Sequence, residues 1–103
     1  MVSILKPKDA DVRRIAKALE RFEEAHEHAQ CTVYRYNPAS IRVRIVDSTF
    51  DGRSRGERHD YAMQYLRNLP DAVSSQISIL LCLVPNETSL MDLEFSNPRM
   101  SQL

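Results

Sequence analysis

The chain has 103 residues, 43% of them hydrophobic and 27% charged, with a formal net charge of zero at neutral pH. That length fits one small domain with a single modest core, and the balance excludes a disordered chain. With no global charge, any attraction to nucleic acid or anionic lipid has to come from a local patch.

The opening stretch MVSILKPKDA holds one apolar pair before Lys and Pro, too little for a secretory signal. No apolar run approaches the roughly 20 residues that span a bilayer. From Lys8 to Ala29 the pattern is helical: Val12, Ile15, Ala16, Leu19, Phe22 and His26 recur at three- and four-residue steps. Asp9 or Asp11 can cap its start. Its outer charges are segregated, with Arg13, Arg14, Lys17 and Arg21 early and Glu20, Glu23, Glu24 and Glu27 late. This order opposes the helix dipole. A solvated face that tolerates a small cost is the simpler account.

CTVYRY and IRVRIV then read as a hairpin closed by NPAS, with Ile41, Val43 and Ile45 on one face and Arg42 and Arg44 on the other. Asp51-Gly52 looks like a second hairpin turn, but RHDYAMQYLRNL has a helical period through His59, Ala62, Met63, Leu66 and Leu69. Ser54 and Glu57 form a capping box at its start, and Pro70 stops it. DAVSSQ is a short helical turn or loop. ISILLCLV is a third strand, apolar on both sides and expected to be the best covered, ended by Pro85. NETSLMDLEF suggests a last short helix. The expected architecture is an α+β two-layer domain in the order α-β-β-α-α-β, helices on one face of a three-stranded mixed sheet. Its core spans about residues 8–87, with a tail at 88–103. The helical link from the second strand to the third suggests that this pair is parallel.

The order of elements and the string Phe50-x-Gly52-x5-Arg58-His59, between the second strand and the next helix, resemble the BolA family. ISILLCLVPNE resembles that family's last strand and the Pro-x-Glu after it, and the likeness covers roughly residues 12–87. It implies a fold akin to the class II KH domain. It also implies two jobs: partnership with monothiol glutaredoxins in iron–sulfur handling, and nucleic-acid-linked regulation. Cluster-binding members supply a His or Cys from the first hairpin loop and a His at the start of the last strand. Here the loop is NPAS and the second position is Gln76, whose amide is a poor ligand for soft iron.

Candidate sites follow. The loop holding Phe50, Gly52, Arg53, Arg55, Arg58 and His59 offers backbone N–H groups, a helix start and three guanidinium groups to an anion. The sheet face with Arg42 and Arg44, and Arg35 or Tyr34 and Tyr36 alongside, could extend that patch toward single-stranded nucleic acid. The plainer reading is a tight turn with a soluble surface. His59 is expected to turn inward beside Ala62 and Leu66, neutral and hydrogen-bonded. His26 and His28, two residues apart on a helix, diverge. Cys31 with His59 is a weak metal candidate; a small buried cysteine is the commoner outcome.

No nucleophile–base–acid set is visible. The expectation is therefore a non-enzymatic module without a cofactor, acting through a protein partner such as a monothiol glutaredoxin. Nucleic-acid binding is the alternative, and no membrane association is expected. With two cysteines and no C-x-x-C pair, a reduced, cytoplasmic setting is the simplest.

Overall fold

The computed structural model describes residues 1–5 and 8–87. Strand β1 (Ser3–Leu5) leads to helix α1 (Ala10–Ala25), and strands β2 (Gln30–Asn37) and β3 (Ser40–Val46) form the hairpin. A 3₁₀ turn at Ser48–Phe50 precedes helix α2 (Arg55–Leu66). A single helical turn, α3 (Asp71–Ser74), leads into strand β4 (Ile77–Leu83), and a 3₁₀ turn at Pro85–Glu87 follows.

Helix α1 forms because its apolar positions make one stripe. Val12, Ile15, Leu19 and Phe22 are fully buried on it. Each such side chain contributes about 1.5–3 kcal/mol relative to an exposed one. Asp9 is the cap: its carboxylate accepts the Val12 N–H at 2.9 Å. The start of α2 is closed by the expected capping box. Ser54 Oγ accepts from the Glu57 N–H at 3.2 Å, and Glu57 accepts from the Ser54 N–H at 2.8 Å.

The sheet has four strands in the order β1-β2-β3-β4, not three. β1 is parallel to β2, β2 antiparallel to β3, and β3 parallel to β4. The architecture is thus two β-α-β units joined through one hairpin. The additional strand lies ahead of the expected core. A three-residue segment has no period to read, and its strand identity comes from pairing Ile4 with Val33.

Pro38 and Ala39 turn the hairpin, with the Asn37 side chain accepting from the Ala39 N–H at 2.9 Å. No non-glycine residue described has positive φ, so this is not one of the primed turns that match strand twist. The register shift between Arg35 and Asn37 takes up the mismatch.

Alternation sorts the sheet into two faces. Ile4, Cys31, Val33, Val43, Ile45, Leu80 and Cys82 belong to the core with the buried residues of α1, α2 and α3. Thr32, Tyr34, Arg42, Arg44, Ile79 and Leu81 pair across the strands on the opposite face.

The expectation that the last strand is the best covered is overturned. β4 lies at an end of the strand order, and Ile79 to Cys82 are half-buried, with only Leu83 buried. Its lack of alternation arises because one row meets the helices while the other continues the far face. The expected final helix and tail fall, past Glu87, outside the described residues.

Candidate functional site

The loop from Phe50 to His59 is built mostly for its own architecture. Phe50 is fully buried, its ring 6.0 Å from that of Phe22. Gly52 has φ +78°, so the reversal after Asp51 uses the conformation that glycine alone adopts cheaply. Arg58 is pinned inward. Its Nε donates to the Arg53 carbonyl at 3.0 Å, and its Nη1 donates to the Cys82 carbonyl at 3.1 Å and to Glu87 at 2.8 Å. Hydrogen bonding from Arg58 holds the Glu87 carboxyl below its ordinary pKa. Arg53 lies over the Tyr61 ring, 4.5 Å from its centroid. Of the three loop arginines, only Arg55 is exposed.

His59 does not turn inward; it is exposed. The buried side of α2 runs through Ala62 and Leu66, with Arg58, Tyr61, Tyr65 and Leu69 half-buried along it. The phase is set by the two tyrosines and by Arg58 reaching β4, which rotates His59 away from the core. Cys31, by contrast, is 1% exposed on the helix-covered face, and its N–H donates to Glu23 at 2.8 Å. Burial, then the Glu23 charge, pushes its thiol far above the ordinary range. Cys31 and His59 therefore do not form an accessible ligand pair. Burial also pushes the Cys82 thiol up to about 12. Among the described residues no group of three or more His, Cys, Asp or Glu side chains is placed to hold a metal ion.

Gln76, at the position where the resemblance places a cluster ligand, is engaged at both ends of its amide. Its Nε2 donates to Asp11 at 2.9 Å and to the Ala72 carbonyl at 2.8 Å, and its Oε1 accepts from Arg35 at 2.8 Å. Arg35 also pairs with Asp9. Hydrogen bonding to Arg35 lowers the Asp9 pKa and raises that of Arg35. This network ties the start of α1, the end of β2 and the residue ahead of β4. It also removes Arg35 from the basic sheet face expected for it. Cys31, Val33 and Arg35 share one parity, and that alternation was the available clue.

The far face of the sheet does bring Tyr34, Tyr36, Arg42 and Arg44 together, but Tyr34 is only 2% exposed and the other three are half-buried. Arg42 lies 3.7 Å from the Tyr36 ring centroid and donates to the Tyr34 hydroxyl at 3.3 Å. Ile79 and Leu81 flank the two arginines in register, and Leu5 pairs with Tyr34 on the other side.

His26 is held within an aromatic cluster that residue-by-residue reading of the sequence missed. Its ring stacks on Phe22 at 4.1 Å. Nδ1 donates to the Phe22 carbonyl at 2.8 Å, since a carbonyl only accepts, and in that tautomer Nε2 accepts from the Tyr61 hydroxyl at 2.6 Å. His28 is exposed beside Glu27. No described helix is long and apolar enough to cross a membrane.

No family model matches the chain, and neither the curated proteins nor the solved structures contain a match to it.

Proposed function

We propose that the chain is a diverged BolA-like, non-enzymatic module that binds a protein, with a monothiol glutaredoxin as the partner the resemblance implies. The recognition surface is the far face of the sheet. The observation carrying this reading is the composition of its half-buried side chains: Tyr36, Arg42 and Arg44 beside aliphatic residues, Arg42 and Arg44 lying in register with Ile79 and Leu81. Aromatic residues and arginine are enriched at the centres of protein interfaces, where their apolar bodies and polar tips serve together.

The nucleic-acid alternative is less well supported. It needs the loop arginines as phosphate contacts, and Arg58 and Arg53 are committed to Cys82, Glu87 and Tyr61. A role as cluster ligand is supported neither by NPAS nor by Gln76, whose amide has three hydrogen bonds to lose.

The test is a calorimetric titration with a purified monothiol glutaredoxin, repeated with Ile79→Asp and Leu81→Asp. Saturable binding that both variants abolish while Arg55→Ala retains it is the expected result. Binding lost in Arg55→Ala but kept in the strand variants would move the surface to the loop. An iron–sulfur chromophore that depends on residues of this chain would refute the non-ligating part. Steeply salt-dependent binding of single-stranded oligonucleotides, with none of the glutaredoxin, would favour the alternative.

A further inference from the structure

The early cations of α1 do more than dissolve its outer face. Arg14, Lys17 and Arg21 line one wall of a cleft of about 370 Å³. Tyr65, Asn68, Leu69 and Pro70 contribute from the end of α2 and the link beyond it, and Ala18 completes the lining. Three observations about this wall converge. First, the cations are placed at a cost. Arg13–Lys17 and Lys17–Arg21 are like-charged pairs four residues apart, which destabilise a helix. Second, no close ion pair among the described residues fixes them, although Glu20 and Glu24 stand three residues beyond Lys17 and Arg21. Arg14 reaches Asp11 only at 3.4 Å, its side chain 59% exposed, and Lys17 and Arg21 form no ion pair with any described residue. Third, the lining changes chemistry across the cleft, from cations to a phenol, an amide and the apolar bodies of Leu69 and Pro70.

We propose that this cleft binds a phosphorylated small molecule of mononucleotide size. Its phosphates would meet Lys17 and Arg21, and its planar ring would lie against Tyr65, Leu69 and Pro70, within reach of the Asn68 amide. A guanidinium or ammonium pair suits a phosphate group, and the volume is at the lower end of the range for small-molecule sites. The end of α2 brings a partial negative charge toward the cleft, but it opposes three full positive charges. The site is separate from the sheet face proposed for a protein partner, so either proposal can fail alone.

The probes are ATP, AMP and inorganic pyrophosphate, titrated into the full chain and followed by backbone amide NMR. ATP and AMP are expected to saturate at one site, shifting residues 14–21 and 65–70, with pyrophosphate at least tenfold weaker. Lys17→Gln with Arg21→Gln should weaken ATP at least tenfold while the thermal melt shows the fold intact, since the change removes both like-charged pairs. No shifts in these residues at millimolar ATP would overturn the proposal. So would equal affinity for ATP and pyrophosphate, which would leave the ring without a role. Tighter binding of single-stranded RNA, with shifts spread over the far face of the sheet, would overturn it as well.

Discussion

The two glycines stand four residues apart and are expected to respond in opposite directions. Neither has an atom within 4 Å of where a Cβ would lie, so crowding does not decide the outcome. Gly52 has φ +78°, and Gly52→Val should destabilise by about 1–2 kcal/mol through backbone strain alone. Gly56 lies in the first turn of α2, and Gly56→Ala should stabilise by about 0.4–1 kcal/mol by restricting the unfolded chain. Denaturant melts of both variants check the pair of signs. The adjacent residues Arg58 and His59 divide differently, one costly to remove and one neutral. Arg58→Ala removes a donor to the Cys82 carbonyl and to Glu87, and should cost about 1–3 kcal/mol. His59→Ala, at an exposed position, should stay within about 0.5 kcal/mol of the parent. At this scale the capping box and the turn glycine were legible in the sequence, because both are local chemistry. The facing of His59 was not. A helical period that counts Ala62 and Leu66 but leaves out Tyr61 and Tyr65 points one residue too far round the helix.

At the scale of elements, the joint between α1 and the sheet carries a pH dependence. Asp9 caps α1 and pairs with Arg35 of β2, and the Arg35 hydrogen bond holds its carboxyl below the ordinary value of 3.8. A carboxyl with a depressed folded-state pKa adds stability that is complete above its unfolded value. That stability is lost as the pH falls through the lower, folded value. Asp9→Asn keeps a capping oxygen but removes the charge. The variant should be less stable than the parent at neutral pH, and the two should converge in acid once Asp9 itself is protonated. Urea midpoints measured from neutral pH down to about pH 2 read this directly. A gap that persists in acid would mean that the Asp9 charge is not what the substitution loses. Helices α1 and α2 and the hairpin were legible because each has its own period and its own cap. Strand β1 was not, since Ser3–Leu5 becomes a strand only where β2 offers it an edge.

For the whole molecule, the sequence carried the two-layer α+β plan and the parallel pairing of β3 with β4, but not the order of strands around the hairpin. Position in a sheet depends on partners distant in the chain, and a segment apolar on both faces, such as ISILLCLV, reads alike at the centre and at the edge. The resulting layout bears on how copies of the chain can assemble. Residues 3–37 and 40–83 each make one β-α-β unit, and Pro38–Ala39 is the short hinge between them. Were that hinge to straighten, the first unit of one molecule could dock on the second unit of another and remake the same interfaces. The outcome would be an exchanged dimer whose only new region is the hinge. Deleting Ala39 should favour this dimer after refolding at high concentration, and inserting two glycines after Pro38 in that deletion variant should restore the monomer. Size-exclusion chromatography of the refolded variants distinguishes them, and a monomeric Ala39 deletion would show that the two units do not trade partners.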